Sequence, residues 1–101
     1  MNIDIRTVTS IDDLNRISQL EMAIWGMPPD EVAPSNIMRA LTLNGAVAHA
    51  AFEGETMIGM ALAFPAIRDG KLLLWSHMAG VLPTHQRRGI GFAIKQVQRN
   101  W

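Results

Sequence analysis

Apolar and polar residues alternate through Ile3-Asp4-Ile5-Arg6-Thr7-Val8, the two-residue period of a strand with one buried face. The period then lengthens. Ile11, Leu14, Ile17, Leu20 and Ile24 recur at helical spacing and predict an amphipathic helix that stops before Gly26. Ser10 stands three residues before Asp13, a capping-box spacing with Asp in place of Glu. MPPDEVAP, residues 27–34, reads as an acidic, proline-rich loop. Ser35 is expected to cap a second, shorter helix with Ile37, Met38 and Leu41 inward and Gly45 as its left-handed C-cap.

The pattern changes again at AVAHAAF. With the turn EGE and the run TMIGMALAF it predicts a β-hairpin, in which Gly59 marks a bulge or a close backbone approach. RDG makes the next turn, and KLLLWSHMAGVL is the third strand of the meander. Ile90, Ile94, Val97 and Trp101 then fall on one face of a last helix. The order β-α-α-β-β-β-α predicts one α+β domain over residues 1–101, a mainly antiparallel sheet flanked by helices. The last helix carries no glycine, proline or capping residue after QVQRNW, so a domain cut within that helix is expected.

Composition narrows the class. The chain has 101 residues, 49% hydrophobic and 18% charged, which suits one folded domain and excludes a disordered one. Its apolar runs fall far short of the ~20 residues of a membrane span. MNIDIRTVTS carries acid early and has no apolar h-region, so no signal peptide is read. Absence of cysteine removes disulfides and thiolate metal sites and suits a reducing compartment, so a cytoplasmic protein is expected. The net charge is zero but unevenly placed. Residues 1–55 hold three arginines against eight acids; residues 56–101 hold six bases against Asp69 alone. Ordinary surface charge or an anion site in the second half would each produce this.

The junction VLPTHQRRGIG, Val81 to Gly91, sharpens the choice. A strand gives way to two arginines and two glycines at the start of a helix, whose first-turn N–H groups are unpaired and electropositive. Glycine at 89 and 91 lets backbone approach a phosphate without a Cβ between them. The spacing matches neither the P-loop nor the three-glycine dinucleotide fingerprint.

Gln86-Arg87-Arg88-Gly89-Ile90-Gly91 resembles the Q/R-x-x-G-x-G/A motif of the GNAT acyltransferases, and Val81-x-Pro83 lies upstream as is common in that family. The hairpin FEGETMIGMALAF is similar to the family's second and third strands, and the resemblance runs through the whole chain. It implies transfer of an acyl group, usually acetyl, from acetyl-CoA to an amine on a small molecule or peptide. It also implies a fold represented here without its C-terminal half. The loop from Gln86 through Arg87, Arg88, Gly89 and Ile90 to Gly91 would hold the coenzyme pyrophosphate. Ala79, Val81 and Leu82 would lie along the pantetheine arm.

In such a fold the cleft-facing residues of the fourth strand often supply a general base. By strand parity from Val81 these are Trp75 and His77. Tryptophan takes no proton, so His77 is the candidate catalytic base; a packed strand histidine without such duty is the alternative. His49 is read as structural, His85 as touching phosphate or simply exposed, and no side-chain spacing indicates a metal site. Asp30 and Glu31 form an acidic loop that would attract a cationic amine, or is simply solvated. The chain has no tyrosine, the family's frequent general acid. An unpaired sheet edge would invite a homodimer. A non-catalytic acyl-CoA-binding or protein-interaction module on the same scaffold is the second reading. Nucleic-acid binding is not expected, given zero net charge and no aromatic stripe beside the arginines.

Overall fold

The computed structural model describes residues 3–100. The elements run β1 (Ile3–Val8), α1 (Ile11–Trp25), α2 (Ser35–Thr42), β2 (Val47–Glu53), β3 (Thr56–Arg68), β4 (Lys71–Val81), a short 3-10 turn at Pro83–His85, and α3 (Ile90–Asn100). The strands form one antiparallel sheet in the order β1-β2-β3-β4. This is the α+β meander that the hydrophobic pattern predicts. No described helix is long and apolar enough to cross a membrane.

Two cores fill the two faces of the sheet. Leu14, Ile17 and Leu20 of α1 and Met38 of α2 pack on Ala48, Ala50, Phe52, Met60 and Leu62. On the other face Ile90 and Ile94 of α3 meet Ala51, Ile58, Ala61 and Val81. Removing a side chain such as Leu14 or Ile58 from water contributes about 1.5–3 kcal/mol. The alanines of β2 and β3 let the helices sit close to the backbone on both sides.

Local signals set most boundaries. Ser10 Oγ accepts the Asp13 N–H at 3.1 Å, and Gly26 closes α1 in the left-handed region at φ 65°. Asp69 and Gly70, both at positive φ, make the two-residue turn between β3 and β4. The second helix departs from expectation. Pro34 occupies the N-cap, Ser35 is already helical, and Leu43 is a right-handed C-cap, while Gly45 takes its positive φ of 97° beyond the helix end. Ile37 points outward at 52% exposure; Met38 alone of the expected trio is fully buried.

Strand β3 runs past Phe64, through Pro65, to Arg68. A proline is tolerated there because β2 pairing stops at Ala63, which leaves one side of β3 open. Gly59 answers to both of its expected causes. Ile58 is the extra residue of a bulge opposite Ala51 and Phe52, and a Cβ on Gly59 would stand 3.0 Å from Ile94 Cδ1 and 3.2 Å from the Gly80 carbonyl oxygen. In α3 the buried set is Ile90, Ile94 and Gln98, with Val97 half-buried beside it; the expected place of Trp101 on this face lies outside the described residues.

Candidate functional site

The chain leaves β4 at Val81 with one further ladder bond, Leu82 N–H to the Ile58 carbonyl at 2.8 Å. A 3-10 turn follows, and Gln86 returns to extended backbone with its Nε2 donating to the Val81 carbonyl at 3.0 Å. Arg87 and Gly89 both take positive φ, 67° and 77°. The Gly89 carbonyl accepts from Ala93 N–H at 3.0 Å, so the helix begins there. The unpaired N–H groups of that first turn open on a cleft of about 380 Å³, bounded by Val81, Gln86, Arg87, Gly89, Ile90 and Gly91.

Two details of this cleft have physical weight. A Cβ on Gly91 would meet only Val81 Cγ2, at an ordinary 3.7 Å, so no protein atom requires glycine at that position. Beyond that contact the space around Gly91 is open. Arg87 holds a left-handed conformation that costs a residue with a side chain about 1–3 kcal/mol, the kind of local strain that collects at functional sites.

The sequence-designated residues are not all brought to the cleft. Arg88 turns away from it, and its Nη2 lies 3.1 Å from Glu53 Oε2. Leu82 packs between the two cores, and Ala79 is exposed farther up β4. The outer edge of β4 pairs with no strand among the described residues.

Strand parity fails along β4. Leu62 pairs with Met78 and Ala63 with Ser76, which makes His77 the extra residue of a bulge. Val81 faces α3, and so does Ser76, five residues away, whose Oγ accepts from Lys95 of α3 at 2.6 Å. In a regular strand an odd separation would put them on opposite faces. His77 instead lies on the α1 face, its ring centroid 5.4 Å from that of Phe64. The histidine and the cleft of Gly89 and Gly91 therefore stand at successive stations along β4, without the shared face that simple alternation from Val81 implies.

Two acids that the sequence reading passed over are tied into this region. Glu21, only 3% exposed on α1, accepts the Ala33 N–H at 2.7 Å while Ser18 Oγ donates to the Ala33 carbonyl at 2.6 Å. Burial raises the Glu21 pKa, against the lowering effects of the Ala33 bond and of the positive charge His77 can carry. The available signal was a carboxylate inside the apolar stripe of α1, between Leu20 and Ile24. Glu53 gave no comparable signal, since it stands at a hairpin tip where acids are common.

Elsewhere, His49 is fully buried, and burial lowers its pKa, which fits the structural part expected of it. His85 is held between Thr84 and Glu53 with its side chain only 19% exposed, at the border of the cleft rather than free on the surface. No group of three or more metal-binding side chains occurs among the described residues. A larger open groove, about 460 Å³, lies between β4 and α3, where Lys95 spends its ammonium on Ser76 and Gln98.

No family model and no curated protein matches the sequence. Solved structures do. An aminoglycoside acetyltransferase from an uncultured soil metagenomic sample, in complex with sisomicin, superposes with a TM-score of 0.79 over 97% of this chain and 68% of its own, at 18% identity. The acetyltransferase AAC(6')-Iy in complex with a bisubstrate analogue gives 0.78 over 100% and 71%, at 20% identity. Arabidopsis thaliana NAA60, also with a bisubstrate analogue, gives 0.74 over 98% and 66%, at 23% identity. The chain thus spans about two thirds of the length of these proteins, and its fold is that of the GNAT N-acetyltransferases.

Proposed function

We propose that this chain forms the coenzyme-binding part of an acyl-CoA-dependent N-acyltransferase. The observation that carries the reading is the cradle at Gln86–Gly91. Helix N–H groups, a strained arginine and a glycine with no steric reason inside the protein converge on one cleft. Those residues fit a pyrophosphate, and the unpaired edge of β4 offers N–H and C=O groups to a pantetheine amide. Bound there, acyl-CoA supplies an activated thioester. Acetyl is the acyl group by the example of the neighbouring fold members.

His77, on the α1 face, takes a proton from the acceptor ammonium, directly or through one water. The freed amine attacks the thioester carbon, a C–N bond forms and the C–S bond breaks. The second proton lost by the nitrogen balances the departing thiolate. Asp30 and Glu31, exposed in the loop beside α1, favour a cationic acceptor.

Titration of acetyl-CoA into the chain tests the reading. The wild type is expected to bind and Gly89→Glu, which places a side chain and a negative charge in the cradle, to lose binding by at least about 100-fold. Absence of binding by the folded wild type would remove the coenzyme reading and leave the non-catalytic interaction module.

A further inference from the structure

We infer that Glu53 is a positioning residue for the anion cradle, acting through His85 and Arg88, and that Arg87 is the arginine left to meet the anion. The second half of the inference rests on the coenzyme reading; the first does not.

One carboxylate ties down both ends of the loop. Glu53 Oε1 lies 3.1 Å from His85 Nε2, and Glu53 Oε2 lies 3.1 Å from Arg88 Nη2. The other ring nitrogen of His85 is engaged by Thr84 Oγ1 at 2.9 Å. Gln86 adds a third tie through the Val81 carbonyl. Residues 84–88 are thus fastened at 85, 86 and 88, to the tip of the β2–β3 hairpin and to the end of β4. The sequence separations of 32 and 35 residues make this a tertiary clamp, invisible to local pattern.

Arg87 is the member of the segment left out of it. No carboxylate pairs with it among the described residues, and it lines the cleft that Arg88 does not. Its φ of 67° sets its backbone apart from the extended Gln86 before it, and the two consecutive arginines meet different surroundings, Arg87 the cleft and Arg88 the carboxylate of Glu53. Their charges differ in consequence. Arg88 already faces an anion, whereas Arg87 presents an uncompensated guanidinium to whatever enters.

Two sets of measurements test this. The first uses no ligand: amide hydrogen exchange across residues 84–89 in the wild type, Glu53→Gln, Arg88→Gln and the double variant. Both single variants are expected to speed exchange near Arg88, Glu53→Gln to speed it near His85 as well, and the double variant to add nothing to Glu53→Gln, which already removes both ties. Unchanged exchange in Glu53→Gln and Arg88→Gln overturns the clamp, as would effects that simply add.

The second set titrates coenzyme A and inorganic pyrophosphate at low and moderate salt, with Arg87→Gln included. Arg87→Gln is expected to weaken binding about tenfold or more and to flatten its salt dependence. Arg88→Gln should cost no more than about threefold, leave the salt dependence intact, and cost nothing on the Glu53→Gln background. If Arg88→Gln matches Arg87→Gln, or if Glu53→Gln tightens binding, Arg88 is itself a phosphate ligand with Glu53 as its competitor, and the assignment fails. If neither ligand binds the folded wild type, the coenzyme reading and the duty of Arg87 fall together, while hydrogen exchange still decides the clamp.

Discussion

Strands β2 and β4 are built of similar material and meet opposite fates. VAHAAFE of β2 is buried at every position but the last, histidine included. KLLLWSHMAGV of β4 is richer in large apolar side chains, yet only Val81 is buried, and Leu72, Leu74 and Trp75 are 77%, 40% and 47% exposed. Hydropathy would rank them the other way. The difference is position: β2 has a strand on each side and helices over both faces, whereas β4 borders the sheet and α1 and α3 reach only its second half, from Ser76 to Val81. The same contrast separates the buried scaffold from the proposed site. The interior strands fix the frame, and the half-covered strand presents His77, a free edge and the loop that follows.

The comparison breaks most sharply at the interior. Ile58→Ala, at a fully buried bulge residue of β3, is expected to cost about 2–5 kcal/mol in denaturant unfolding; a cost below about 1 would mean that β3 is not the rigid centre. Gly59→Val should follow at about 1–3 kcal/mol, since its new side chain must displace Ile94 and press on the Gly80 carbonyl. Arg87→Gly works in the opposite direction. Relief of the left-handed strain should stabilise the fold by about 1 kcal/mol while coenzyme binding weakens, a split that a purely structural arginine would not show.

The buried histidine of β2 sharpens the contrast through pH. Burial lowers the folded pKa of His49, so an unfolded chain takes up its proton near pH 6.5 while the folded one still excludes it. The stability due to neutral His49 is therefore complete above that pH and declines as pH falls below it. Glu21, whose pKa is raised, adds stability at acid pH that is lost as pH climbs through its folded value. The His49 contribution is the difference between wild-type and His49→Gln stability curves, and that difference should shift steadily below pH 6.5. A constant offset would show that His49 is not held neutral. The smallest effect belongs to the edge: Leu72→Ser should change stability by no more than about 0.5 kcal/mol.

Much of this arrangement was legible along the chain. Alternation gave β1, helical spacing gave α1 and α3, and Ser10 and Gly26 bounded α1, because each of these signals is local in origin. The glycine-rich junction could likewise be recognised, since backbone conformation at Gly89 depends on the residue itself. Local rules misplaced the caps of α2, where Pro34 and Leu43 took the places assigned to Ser35 and Gly45. They ended β3 too early, because its final residues are ordered by pairing with β4.

What the sequence alone determined is therefore the order of elements, their amphipathic faces and the chemical type of the loop, all properties of residues a few positions apart. Only the tertiary structure decided which faces received cover and which side of β4 His77 occupies, and which of two adjacent arginines Glu53 would hold. Each of those outcomes depends on groups distant in sequence meeting at 3–4 Å, or on one extra residue in a strand reversing all the side chains beyond it.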